Sequence, residues 1–178
     1  MKIYTKKGDG GKTLGPKGQE VFKNDLSIEL FGSIDKAQVT IGILYETLKK
    51  DTNKYPFDKL LILKNLEMIL PYFYQISSSI YLNKNMVIKD FDLKIESWID
   101  ELDKLLPPLK NFILPIGSLS SSYAHMGRVN VRSLERKFIA WDLNNNFSEI
   151  RKFLNRLSDY FFNLARILSL DEKLSKKA

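Results

Sequence analysis

Apolar residues recur three or four positions apart at Leu30, Ile34, Ala37, Ile41, Leu44 and Leu48. That spacing lines all six along one stripe of a helix, and Asp25 or Ser27 can cap its start. Polar residues 51–55 break the pattern. A second apolar run covers residues 57–82; Pro71 inside it removes a backbone donor, which predicts one bent helix. Residues 91–106 predict a third, shorter helix stopped by Pro107 and Pro108. After the irregular apolar connector FILPIGS, a long fourth helix is predicted over residues 119–143. Residues 144–146 predict a turn, Ser148 a cap, and a fifth helix runs on to about residue 170. The tail DEKLSKKA, residues 171–178, is expected to fray.

Nothing alternates with period two for long, and no repeat is visible. The expected class is therefore all-α, a helical bundle with short connections and one longer crossover. With 178 residues, 44% of them hydrophobic, the chain can fill one well-packed core and is short for two, so a single domain over 1–178 is expected. The absence of cysteine excludes a disulfide framework, a thiolate metal site and a thiol nucleophile. No apolar run reaches the length of a membrane span, and the N-terminus lacks the apolar core of a signal peptide. A cytoplasmic protein without membrane contact is the expectation.

A net charge of +7 raises the question of nucleic acid. The distribution answers it better than the total. Of 28 basic residues, 22 are lysines scattered along the chain, the pattern of a solvated surface. No basic face interleaved with aromatics is present, so no nucleic-acid partner is expected. All six arginines, by contrast, fall between Arg128 and Arg166, a concentration that points to a task.

Residues 5–13 read TKKGDGGKT and resemble a phosphate loop. A Walker A loop requires a glycine five positions before Gly11, where this chain has Lys6, so that fingerprint fails. Glycines still let backbone N–H groups crowd an anion, and Lys6, Lys7 and Lys12 add charge. A flexible lysine-rich terminus is the plain alternative. Further on, Arg128, Arg132 and Arg136 recur every four residues and stack three guanidinium groups on one helix face. Like charges so spaced oppose helix formation by about 0.2–0.5 kcal/mol per pair. They call for an anion, either Glu135, a partner helix, a neighbouring subunit or a ligand, and arginine forks suit carboxylate or phosphate oxygens. The lone histidine, His125, reads as a hydrogen-bonded structural residue rather than a base or a zinc ligand. In LNRLSDYFFNLAR, Asn155, Arg156 and Asp159 interrupt an apolar stretch and form an internal network or line a site, with Arg156 and Asp159 spaced as an i, i+3 pair. Tyr160, Phe161 and Phe162 read as core.

These blocks together resemble the PduO-type ATP:cob(I)alamin, or corrinoid, adenosyltransferases. TKKGDGGKT fits that family's T-K-x-G-D-x-G-x-T pattern, and the likeness continues through VFKND, FGSIDK, LPPLKNFILPIGS, HMGRVNVRSLER and NRLSDYFF in family order, from residue 3 to residue 166. The resemblance implies a five-helix bundle assembling as a homotrimer, with residues 1–24 an ATP-binding loop segment and 25–170 the bundle. It implies ATP and cobalamin as substrates, bound at subunit interfaces, with Mg²⁺ on the triphosphate. Thr5, Lys6, Lys7, Gly8, Asp9, Gly11, Thr13 and Lys23 would surround that triphosphate. Arg132, Glu135 and Arg136 would complete the site from the adjacent protomer, and Asn155 would add a nucleotide contact. Asp35 and Arg128 match a pair that bridges subunits, and Phe112 matches the aromatic residue that covers the lower face of the corrin and displaces its axial ligand. A cob(II)alamin reductase and a cobalamin-dependent enzyme would be the further partners.

The chain departs from that pattern at four places. Asp35-Lys36-Ala37 replaces Asp-Glu-Leu, and Arg132-Ser133-Leu134-Glu135-Arg136 replaces Arg-Arg-Ala-Glu-Arg. Leu114-Pro115-Ile116-Gly117 replaces Leu-Pro-Gly-Gly, and Pro71 enters a helix that is normally uninterrupted. A non-catalytic ATP- or cobalamin-binding carrier or sensor of the same fold therefore stands as the alternative.

Overall fold

The computed structural model describes residues 2–84 and 90–170, so the expectation for the tail lies outside the described residues. Two short strands, β1 (Lys12–Leu14) and β2 (Glu20–Phe22), are followed by α1 (Leu26–Lys50), α2 (Lys59–Leu82), α3 (Phe91–Asp103), α4 (Leu119–Trp141) and α5 (Ser148–Leu168). The five predicted helices are all present. The expectation of a purely helical chain needs one correction, because β1 and β2 pair antiparallel, Lys12 opposite Phe22 and Leu14 opposite Glu20. Strands of three residues are too short to display an alternating pattern in the sequence.

The stripe on α1 becomes the core. Leu30, Ile34, Ala37, Ile41, Leu44 and Leu48 are all buried, and Asp25 caps the helix by accepting from the Ser27 N–H at 2.8 Å. Between the predicted caps, Asp25 serves and Ser27 donates to it through its hydroxyl as well. Helix α4 packs against both α1 and α5, α3 lies on α5, and α2 lies on α1. Aromatic contacts join the outer helices: Tyr72 of α2 stacks on Phe91 of α3 at 3.7 Å between ring centroids, and Phe73 meets Phe153 of α5 edge-on at 6.0 Å.

Three boundaries differ from the sequence reading for physical reasons. Helix α2 starts at Lys59, because Asp58 caps it through the Leu60 N–H, and it continues through Pro71. That ring lies on the exposed side, where water can satisfy the carbonyl left without a donor. Ser148 does not cap α5. The buried Asp142 accepts from the N–H groups of Asn146 and Phe147 at 2.9 and 3.1 Å, and binds Arg151. Helix α3 ends at Asp103, short of the prolines. The connection between α1 and α2 is tied to the start of α4 through Asp51, which accepts from Tyr55 and Ser120 hydroxyls at 2.6 and 2.7 Å. Among the described residues no helix is long and apolar enough to cross a membrane.

Candidate functional site

The N-terminal loop is built from consecutive tight turns. The Asp9 N–H donates to the Lys6 carbonyl and the Gly11 N–H to the Gly8 carbonyl, both at 3.2 Å. Gly11 takes φ +80°, which a residue without a Cβ adopts freely. Its carbonyl then accepts from the Lys23 N–H at 2.9 Å, so the loop is closed against the residue that follows β2. The Lys23 side chain folds back over the loop: a Cβ placed on Gly8 would stand 3.1 Å from Lys23 Nζ. Thr5, Lys6, Lys7 and Asp9 remain exposed and Thr13 is half-buried in β1. Lys12, opposite Phe22, pairs with Glu20 across the hairpin at 2.8 Å. The loop thus places glycine backbone and exposed ammonium groups on one short segment, an arrangement that suits a phosphate chain.

Along α4 the three arginines diverge in setting. Arg132 and Arg136 are exposed, whereas Arg128 is half-buried and its Nε has no hydrogen-bond partner among the described residues. Among the described residues none of the three makes an ion pair. Glu135, the anion foreseen within the helix, instead accepts from Asn155 Nδ2 on α5 at 3.2 Å. Asn155 is bound in turn by Arg156, whose partner is Glu96 of α3 at 2.5 Å. The spacing-based pair of Arg156 with Asp159 is thereby corrected: a carboxylate on a packed neighbouring helix meets the guanidinium through Nε. Nothing in the local sequence around Arg156 points to Glu96, 60 residues away.

The connector before α4 covers a cavity of about 620 Å³ lined by Phe112, Ile113, Pro115, His125, Arg128 and Phe162, among others. Phe112 itself is fully exposed, at 108% of its reference area. Phe162 is not core as expected but half-buried, with the guanidinium groups of Arg128 and Arg166 at 6.0 and 5.8 Å from its ring centroid. Tyr160 and Phe161 are fully buried as foreseen. His125 is buried, but the hydrogen bond expected for it is absent at Nδ1. Burial, and secondarily the charge of Arg128, hold its pKa below the usual histidine range, so the imidazole is neutral. Phe112 and Arg128 thus meet at one cavity, while Asp35 is exposed on α1 and makes no ion pair with Arg128 inside the chain.

Comparison with known proteins bears on the family and the fold. Residues 3–168 match the profile of the cobalamin adenosyltransferase family. The chain is 32% identical over 180 residues to the corrinoid adenosyltransferase MMAB of Mus musculus, covering 99% of this chain and 76% of the relative. It is 33% identical over 176 residues to the corrinoid adenosyltransferase of Bacillus subtilis, covering 95% and 87%. Its fold is similar to that of a variant PduO-type ATP:corrinoid adenosyltransferase from Lactobacillus reuteri, solved with cobalamin and ATP. The TM-score is 0.79 at 27% identity, over 93% of this chain and 90% of that one. The family profile and these relatives cover nearly the whole chain, which belongs to the cobalamin adenosyltransferase family.

Proposed function

We propose that this chain transfers the 5′-deoxyadenosyl group of MgATP to cob(I)alamin, giving adenosylcobalamin and triphosphate. The observation that carries the reading is the N-terminal loop, where Lys23 folds over Gly8 beside exposed Lys6 and Lys7. The electron pair of the reduced cobalt forms the new bond to the ribose 5′-carbon, and the carbon–oxygen bond breaks with its electrons passing to triphosphate. Charge therefore accumulates on the leaving group. Lysines and arginines aimed at that charge stabilise the transition state, and holding both substrates in one geometry removes the entropy of their encounter. Neither a covalent nucleophile nor a general base is required of the protein.

Mg²⁺ is bound by one or two carboxylates together with substrate phosphates. Among the described residues no group of three His, Asp or Glu side chains could hold a metal by itself, and Asp9 is the carboxylate of the loop. This donor set fits an ion that arrives on the triphosphate. Asp9 would face it, and its chemistry would be to neutralise phosphate charge.

The two halves of the nucleotide site come from different protomers of a homotrimer. In support, the turn at Pro16–Gly18 of the hairpin rests on α2, whereas Arg132 and Arg136 stand on α4, which packs on α1 and α5. Among the described residues Arg128 and Asp35 each lack an ion-pair partner, and each would find one in the other across the interface. The exposed Phe112 beside its cavity would lie against the corrin and exclude the lower ligand. The test is direct: incubation with cob(I)alamin and MgATP yields adenosylcobalamin, followed by its visible spectrum, with one triphosphate per turnover. Ligand binding without triphosphate release would instead favour a carrier or sensor.

A further inference from the structure

Arg156 carries hydrogen-bond donors only. Its Nη1 donates to Asn155 Oδ1 at 2.9 Å, so the amide oxygen is the atom turned towards it. The amide nitrogen consequently faces the other way and donates to Glu135 Oε1 at 3.2 Å. Arg156 is itself anchored on α3, where its Nε donates to Glu96 Oε1 at 2.5 Å. Four side chains on three helices form one relay that ends beside the exposed Arg132 and Arg136. The terminal torsion of an asparagine is soft and nearly two-fold, so a bond at each end of the amide is what restrains it.

We propose that Arg156 is a positioning residue for the nucleotide: held by Glu96, it fixes the Asn155 amide so that one N–H engages Glu135 and the other is left to meet an acceptor oxygen of ATP. This rests on the nucleotide site proposed above and adds to it a part that never touches the ligand. A purely stabilising role does not account for the geometry. The Arg156 and Glu96 side chains are each 40% exposed, and ion pairs so open to water contribute little to folding. Their consequence is local, in where the amide points.

The experiment is a double-mutant cycle on MgATP affinity, read by titration calorimetry, with thermal unfolding and cobalamin binding measured on the same proteins. Arg156→Met is expected to weaken MgATP binding about five- to tenfold, the loss of one oriented hydrogen bond. Asn155→Ala is expected to lose at least as much, and adding Arg156→Met to it costs less than about a further twofold. Glu96→Gln, which releases Arg156 without removing it, moves MgATP affinity in the same direction by less. Unfolding midpoints and cobalamin affinity stay near wild type. Independent, multiplying losses from Arg156→Met and Asn155→Ala would overturn the relay, as would unchanged MgATP binding in Arg156→Met or an equal fall in cobalamin binding. A wild-type protein that binds no MgATP would remove the nucleotide site itself, a failure distinct from the relay's.

Discussion

Lys23 holds its ammonium group directly over Gly8, where a Cβ would stand 3.1 Å from Nζ and 3.2 Å from Cε. The next nearest atom is the Lys12 carbonyl at 3.5 Å, an ordinary contact. A methyl at position 8 therefore displaces the end of a flexible lysine and nothing rigid. Gly8→Ala is expected to leave the thermal midpoint near wild type while weakening MgATP binding about tenfold, the share of a charge-assisted phosphate contact. Calorimetric titration beside a melting curve checks both halves, and a large loss of stability with unchanged affinity would contradict the role given to Lys23.

Phe112 is fully exposed, so removing its ring takes no buried surface from the fold. Phe112→Ala is expected to keep stability and ATP affinity and to lower turnover roughly tenfold or more, as a misplaced reactant does. The comparison is of kcat with the KM for ATP, using cob(II)alamin and a reductant.

Asp51 supplies a pH dependence of stability. Burial raises its pKa, but bonds from the Tyr55 hydroxyl, the Asn53 N–H and the Ser120 hydroxyl, with Lys59 nearby, outweigh that and hold it below the ordinary 3.8. With the folded value depressed, the contribution to stability is complete above 3.8 and is lost as pH falls through the lower folded value. Asp51→Ala, which also leaves the two hydroxyls without their acceptor, is expected to lose about 1–3 kcal/mol at neutral pH. Denaturant unfolding across acid pH should show the gap to wild type narrowing below pH 3.8.

Arg128 lies against Phe162, and its Nε has no partner among the described residues. Arg128→Ala and Asp35→Ala are each expected to shift the sedimentation profile towards smaller species, and the exchange Asp35→Arg with Arg128→Asp to restore part of the assembly. An unperturbed, fully active assembly in both single variants would remove the bridge between subunits.

The fold was legible where burial is periodic. The α1 stripe from Leu30 to Leu48 announces its helix and its core face, and all six positions are buried. The hairpin was not legible, because three-residue strands leave no period and their pairing is set by the turn between Leu14 and Glu20. Ser148 is not the α5 cap but its first residue; the N-cap position, Phe147, makes no side-chain bond to the helix, and the turn before it is held by Asp142 from five residues upstream. For the candidate site, motif likeness singled out the loop and the arginine row. What it could not supply was partner choice between helices: Arg156 with Glu96, Asn155 with Glu135, and Phe162 with Arg128 are products of helix packing. His125 shows the same limit, since burial without a partner at Nδ1 follows from the cavity wall and not from its neighbours in sequence.

The account stands or falls on a nucleotide held between two copies of the chain. Subunit complementation measures this: a protein carrying Lys23→Ala and one carrying Arg132→Ala are prepared separately, each with little adenosyltransferase activity, then mixed and allowed to exchange subunits. If the loop of one protomer works with Arg132 of the next, an equal mixture regains about a quarter of wild-type activity, because one interface in four pairs two intact halves. No recovery in a mixture that has demonstrably exchanged would place both halves in one chain and contradict the account.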